Sequence, residues 1–393
     1  MPGEDIAVTA HCLCKAHIFT TTVPSSSLPL PASCCHCDSC RHTTGALYLP
    51  CTPWPNREVD LSALKRYPFS PNIDYLSCPT CSTLLFCKGT QPGDIPEVVT
   101  GSLVNAPKLV KYSHHGFVSD TLDGGATAWF ANDPSGNPIP RWSGSRDKSE
   151  QLPPSWPPHT SKDPKPKATP TLTPLKCHCG GVDLLIRSAA DWESRHSPDS
   201  PLPWFIDPKT YRYFAAFDSC DSCRLSFSSD IVNWTFVELD HIHFPGSSSE
   251  GGEAAGSLPP TVDALKSAVL AKDKDPRLGK LALYQSSDDV ERYFCAGCSA
   301  SVFYAVHEDG RRDMVDVAVG LLKHVDGARA EGLLTWNWGV VGWMEDVAGG
   351  WREGLVKRVV DDAEAWRVGR GLEKSWRRVM REEAAKRAVE EGS

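Results

Sequence analysis

Four cysteines stand within seven residues in the stretch Cys34-Cys35-His36-Cys37-Asp38-Ser39-Cys40. Thiols at that density serve disulfide formation, dithiol redox exchange, a closed structural metal site, or an open metal site that keeps a position for a reactant. The remaining cysteines narrow the choice. Cys12 and Cys14 precede the cluster and Cys78 and Cys81 follow it, and the order returns later as Cys177 and Cys179, Cys220 and Cys223, then Cys295 and Cys298. Two close pairs far apart in sequence suit a tetrahedral zinc ion, each pair forming one knuckle with sulfur about 2.3 Å from the metal. Cys12, Cys14, Cys78 and Cys81 make one such set, and Cys177, Cys179, Cys295 and Cys298 another. Four thiolates leave zinc no open position, so both sets are expected to be structural. A redox dithiol is the weaker reading, because no strand–helix–strand pattern surrounds either C-x-x-C.

Cys35, Cys37 and Cys40 are left over. Three thiolates from one short loop would hold zinc with a fourth position free for water or an incoming thiol, making this the candidate catalytic centre. Closure by Cys34, Cys51 or Cys87, or a role as plain buried thiols, stays open on spacing alone. His36 and His42 are near enough in sequence to shuttle a proton, and Arg41 could pair a substrate carboxylate through its guanidinium fork. The competing roles are a histidine that only bonds backbone and an arginine that only offsets thiolate charge. In the second half the matching stretch reads Asp218-Ser219-Cys220-Asp221-Ser222-Cys223. A carboxylate can ligate zinc, so Asp218, Cys220 and Cys223 are a further candidate metal set in what reads as a weakened copy.

The elements that must carry these residues read mainly as strands. Short β-branched and aromatic runs such as HIFTTTV, EVVTGSLV, RYFAAF, NWTFVEL and ASVFYAV are separated by Pro, Gly, Ser and Asp, the pattern of antiparallel sheet. A chain of 393 residues suits two domains. The expected division is a zinc-pinned β domain at 5–145, a Pro-rich linker at 146–173, a diverged second copy at 174–350 with a Gly/Ser-rich insertion at 245–260, and a helical tail at 351–393. Leu355, Val359, Ala363, Trp366, Leu372, Trp376, Val379 and Met380 fall at roughly helical spacing in that tail, with Gly369 and Gly371 dividing it. An amphipathic helix packed on its own domain is favoured over one that holds a protein partner.

Composition sets limits. The net charge of −8 disfavours a phosphate backbone as partner, and no apolar run nears the ~18–20 residues that span a membrane. The N-terminus reaches cysteines before any apolar stretch, so the expected compartment is the cytoplasm, where a disulfide framework is disfavoured.

The order C-x-C, then CHC-x-x-CR-x-x-x-G, then C-x-x-C resembles the glutathione-dependent formaldehyde-activating enzyme family, which includes centromere protein V. It is carried here by Cys12-Leu13-Cys14, by Cys35 to Arg41 with Gly45, and by Cys78-Pro79-Thr80-Cys81, followed by GSLVNAP, HHGFVSD and ATAWF. Close matches to the first and last motifs, KCHCGGVDLL and FCAGCSASVFY, extend it over 174–350, with the central motif damaged. The resemblance implies tandem β-tent-like domains, each with a four-cysteine structural zinc, a three-cysteine zinc that meets the thiol of glutathione, and carbon–sulfur lyase activity forming S-hydroxymethylglutathione. Three departures stand out: Ala10, Lys15 and Ser82 replace knuckle glycines, Asp218 replaces a ligand cysteine, and Ser228 stands where the first half has Gly45. A non-catalytic zinc scaffold is the alternative.

Overall fold

The computed structural model describes residues 5–157, 171–197, 199–246 and 254–391. Residues 158–170 of the expected linker and 247–253 of the expected insertion lie outside these.

The fold is mainly β, as the strand-forming runs require. Two large sheets share one order. In the first, neighbours run Lys65–Ser70, Ile73–Ser77, Leu84–Gly89, Glu97–Val99, Leu49–Pro53, Leu30–Cys35, Val110–Gly116. In the second they run Leu281–Ser287, Val290–Cys295, Ser301–Val306, Met314–Ala318, Val232–Glu238, Tyr213–Asp218, Leu334–Gly342. Each has a parallel pair at the same place, Leu30–Cys35 beside Val110–Gly116 and Tyr213–Asp218 beside Leu334–Gly342, and in the first sheet Arg141–Trp142 also runs parallel to Val110–Gly116. From each of those inner strands the chain enters a short helix, Asp38–Thr44 or Asp221–Phe227.

Two stretches differ from expectation. Gln151–Leu152 pairs with Arg141–Trp142 and extends the first sheet into the range read as linker. Ala254–Ser257 pairs with Ile242–Pro245, so part of the Gly/Ser-rich insertion is a strand. In both, backbone pairing with a neighbour outweighs a poor local propensity for strand.

The halves pack through one continuous apolar core. Gly45 ends its helix in the left-handed region at φ +85°, and a Cβ there would stand 2.4 Å from the Ser301 carbonyl oxygen. The Gly45 carbonyl accepts from Gly320 N at 2.8 Å. At the counterpart helix end Ser228 takes φ +58°, a conformation that costs a residue with a Cβ more than glycine. The knuckles are crossed. Lys65 Nζ donates to the Ala296 carbonyl at 2.6 Å, Tyr67 OH meets His178 Nδ1 at 2.6 Å, and Ser77 Oγ meets Ser299 Oγ at 2.8 Å. Each joins an outer strand of the first sheet to a cysteine knuckle of the second half.

The tail locks this arrangement. The helix Trp351–Gly369 buries Trp351, Leu355, Val356, Val359 and Ala363, and Asp362 accepts from Ala131 N and Asn132 N at 3.0 and 2.9 Å. Gly371, at φ +64°, lies in the break before Trp376–Glu391. Trp376 packs on Phe214, ring centroids 5.4 Å apart, but Val379 and Met380 are exposed, so the apolar stripe expected to run through them stops short. Among the described residues no helix is long and apolar enough to cross a membrane.

Candidate metal and thiol site

All 16 cysteines are free thiols, and three groups of sulfurs converge. Zinc–sulfur bonds of about 2.3 Å in a tetrahedron put sulfurs roughly 3.8 Å apart. In the first closed set Cys14 Sγ lies 3.5 Å from Cys12 Sγ and 3.6 Å from Cys78 Sγ. In the second, Cys179 Sγ lies 3.7 Å from Cys177 Sγ and 3.5 Å from Cys295 Sγ. Both four-cysteine sets lie within the span a single ion bridges. Backbone amides point at them, His17 N to Cys12 Sγ at 3.3 Å and Val182 N to Cys177 Sγ at 3.2 Å, as thiolates require. The residue changes noted in these knuckles alter turns and not ligands: Lys15 and Ser82 both adopt left-handed backbone, φ +59° and +60°.

Cys35, Cys37 and Cys40 form the third group. Cys37 caps the helix Asp38–Thr44, its sulfur accepting from Cys40 N at 3.3 Å, which places Cys40 one turn on and back beside Cys35, with sulfurs 3.4 Å apart. Hydrogen bonds from Cys35 and Cys40 hold the Cys37 thiol well below its ordinary value. Among the described residues no fourth donor joins the group. Cys51 and Cys87 pair with each other at 3.8 Å, and Cys34, on the alternate face of its strand, lies in the main core. Three protein sulfurs with no fourth is the donor set of an open site and not of a closed one.

An apolar wall surrounds the three sulfurs, made of Leu49, Leu84, Val99, Tyr75, Tyr67 and Phe69 together with the buried Cys51 and Cys87 thiols. Tyr75 OH lies 3.1 Å from Cys40 Sγ, and burial raises its phenol so that it stays protonated and can donate. Phe69 stacks between Tyr75 and His178, at 4.1 and 4.9 Å. Phe69 and Tyr75 sit in ordinary strands and give no sequence signal; His178 is marked only by its place inside the second half's first knuckle.

The two candidate histidines part company. His42 Nδ1 donates to the Lys176 carbonyl at 2.5 Å, fixing the tautomer in which Nε2 carries the lone pair, and burial lowers it to about 4. It lines a cavity of about 250 Å³ together with Asp38, Arg41 and Asp120. His36 is fully buried, bonded through Nε2 to His115 Nδ1 at 2.9 Å, and burial lowers it to about 3. It does not line that cavity, because the strand end that presents Cys35 turns the next side chain to the opposite face. Arg41 does line it, held on one arm by Asp38. Asp120, from the HHGFVSD stretch, stands near enough to Cys37 and is buried enough for its carboxyl to be raised, burial being the larger cause.

In the second half Asp218, Cys220 and Cys223 also converge, but a cation already stands there. Arg292 Nη1 and Nη2 lie 3.7 and 3.9 Å from Cys223 Sγ, and Nη2 donates to Ser222 Oγ at 2.8 Å. Arg292 occupies the third position of Val290–Cys295 and Tyr75 that of Ile73–Ser77, so a guanidinium replaces the phenol at the same place in the sheet.

Neither the comparison with curated proteins nor that with solved structures gave a match. Residues 7–120, which carry the first closed set, the three-sulfur group and Asp120, match the family model of the glutathione-dependent formaldehyde-activating enzymes.

Proposed function

We propose that the protein is a zinc-dependent carbon–sulfur lyase-type enzyme that makes or cleaves the adduct of a thiol such as glutathione with formaldehyde or a related carbonyl compound, and that the chemistry lies in the first half. The observation that carries this reading is the three-sulfur group, with no fourth protein donor among the described residues, set in an apolar wall beside a cavity lined by Arg41 and His42. Cys35, Cys37 and Cys40 would hold the metal, which when bound keeps an incoming thiol as thiolate at neutral pH. In the forward direction a sulfur–carbon bond forms, the carbonyl π bond breaks, and the proton leaving the thiol ends on the new hydroxyl oxygen. Nε2 of His42 is the free lone pair that can accept the thiol proton and return it. His36, a candidate in sequence, is assigned instead to holding His115 and the strand end in place. Phe69 and Tyr75 keep water from the sulfurs, which strengthens charge interactions there.

We further propose that 174–350 is a diverged copy of 5–145, supported by the shared strand order. Its Asp218-Cys220-Cys223 group is the inert one, because Arg292 supplies at Cys223 the positive charge that a metal would otherwise bring. Metal analysis of protein purified without chelators is therefore expected to give about three zinc ions per chain, two in closed sets and one in the open group. A count of about four would assign an ion to the second group as well; one or none would remove the basis of the reading.

Exchange spectroscopy on formaldehyde and glutathione reports the activity directly. Wild-type protein should accelerate exchange into S-hydroxymethylglutathione, and His42→Ala should lower that rate by about 10²-fold or more, the usual contribution of a positioned proton carrier. A wild-type protein that leaves the exchange rate unchanged would favour the scaffold alternative.

A further inference from the structure

The shared strand order frames two grooves, one beside each short helix, and only one of them is filled by the chain. Beside Asp221–Phe227, Arg224 is bonded on every arm: Nε and Nη2 donate to Asp221 Oδ1 at 3.0 and 2.7 Å, and Nη1 donates to the carbonyls of Gly101 and Leu103. Asn105 donates to the Val347 carbonyl at 2.9 Å and accepts from Arg352 N at 3.1 Å. The start of the tail helix thus seals this groove.

The counterpart beside Asp38–Thr44 is the cavity of about 250 Å³, lined from the first half by Asp38, Arg41, Asp120 and Leu122 and from the second by Lys323 and His324. Arg41, only 4% exposed, gives Nη2 to Asp38 and leaves Nε and Nη1 without a partner. His324, 7% exposed, has Nδ1 3.2 Å from Asp326 N and 3.4 Å from Asp326 Oδ2, and its Nε2 has no partner; with Nδ1 accepting from the amide, the neutral ring carries its proton on Nε2. Buried donors are satisfied in the great majority of cases, and those that are not call for an explanation. The same fold satisfies them in the other groove. The missing acceptor in this one is therefore a property of the open cavity and not of the architecture.

We propose that this cavity binds the α-amino acid end of the thiol substrate, with the carboxylate on Arg41, His324 and the rim residue Lys323, and the ammonium on Asp120. The inference rests on the thiol reading above. It makes the second half a working part of the first half's site: what the diverged copy lacks in ligands it returns as substrate-binding residues, and thiols without an α-amino acid end should be poor partners.

The test uses full-length, metal-loaded protein and S-methylglutathione, whose blocked sulfur cannot act as a thiolate, so calorimetric binding reports the cavity alone. Wild type should bind. His324→Leu should weaken binding about tenfold, the size of one hydrogen bond to a charged group, while His324→Gln, which keeps a donor, should stay within about threefold of wild type. Leu122→Trp, at a residue 64% exposed and so tolerant of change, should block the cavity and abolish binding. Unchanged binding in both His324→Leu and Leu122→Trp, or no binding to wild type, would overturn the proposal. In parallel, glutathione added to cobalt-substituted protein reads the thiol site through the change it makes in thiolate-to-metal absorption. Such a change without S-methylglutathione binding sinks the subsite and spares the thiol reading; no change sinks the thiol reading itself.

Discussion

Replacing Asp230 by alanine is expected to destabilise the whole chain by about 3–5 kcal/mol, the cost of leaving a buried charge without its partner. Asp230 and Arg352 form an ion pair at 2.6 Å with both side chains fully buried. The other carboxylate oxygen accepts from Thr100 Oγ1 at 2.7 Å and from Tyr112 OH, and Arg352 also reaches the Thr100 carbonyl. One carboxylate from the second half thus satisfies a hydroxyl and a phenol of the first half and a guanidinium of the tail. Its removal leaves the Arg352 guanidinium without a counter-charge and takes an acceptor from Thr100 and Tyr112, whose hydroxyls keep only each other at 2.8 Å. Urea denaturation monitored by tryptophan fluorescence measures the loss, and the double variant Asp230→Leu with Arg352→Met should recover much of it, since an apolar replacement of a buried pair is often tolerated. A loss below about 1 kcal/mol, the range of surface pairs, would show that water replaces the missing carboxylate and that the network does not hold the halves together.

Cys12→Ser should unfold the protein under conditions where Cys37→Ser leaves it folded. Structural zinc sites contribute on the order of 10–16 kcal/mol of apparent binding free energy at neutral pH, and in such sites that energy is folding energy. Cys12 closes a loop between the hairpin Asp5–His11 with Ile18–Pro24 and the turn carrying Cys78 and Cys81, and the left-handed Lys15 and Ser82 make those turns poor ones without a metal. Cys37, by contrast, sits at the start of a helix anchored at its far end by Gly45 against the second half. Circular dichroism melts separate the two variants, and metal analysis should show Cys37→Ser short by one ion. Equal unfolding of both would make the three-sulfur group structural and remove the proposed active centre.

Much of this site is legible in the residues alone. The metal sets can be read because ligand chemistry restricts residue type and spacing so tightly: Cys12-x-Cys14 with Cys78-x-x-Cys81 allows little else in a chain of this kind, and the fold brings those sulfurs together. The mainly β class follows from strand-forming runs broken by turn residues, and the division of the tail from Gly369 and Gly371. These are local properties, and local physics is enough to state them. Whether Cys35, Cys37 and Cys40 acquire a fourth donor is not local. Cys34, Cys51 and Cys87 are all open candidates in sequence; strand alternation turns Cys34 into the main core, while Cys51 and Cys87, in the same apolar cluster as the three sulfurs, pair with each other. His36 and His42 look interchangeable in sequence; the turn from strand into helix buries one against His115 and leaves the other on the cavity. Arg292, Lys323 and His324 carry no motif at all: Arg292 meets Cys223 only through the pairing of the second sheet, and Lys323 and His324 line a groove that exists only when the two halves pack. Sequence determined which atoms can bind metal, since that is fixed by side-chain chemistry and short spacing. Tertiary structure decided which site is open, which histidine faces it and what lies opposite, since those depend on contacts between residues from 36 positions apart (Cys51 and Cys87) and 79 (His36 and His115) to about 280 (Arg41 and His324 on one cavity) that no local preference encodes.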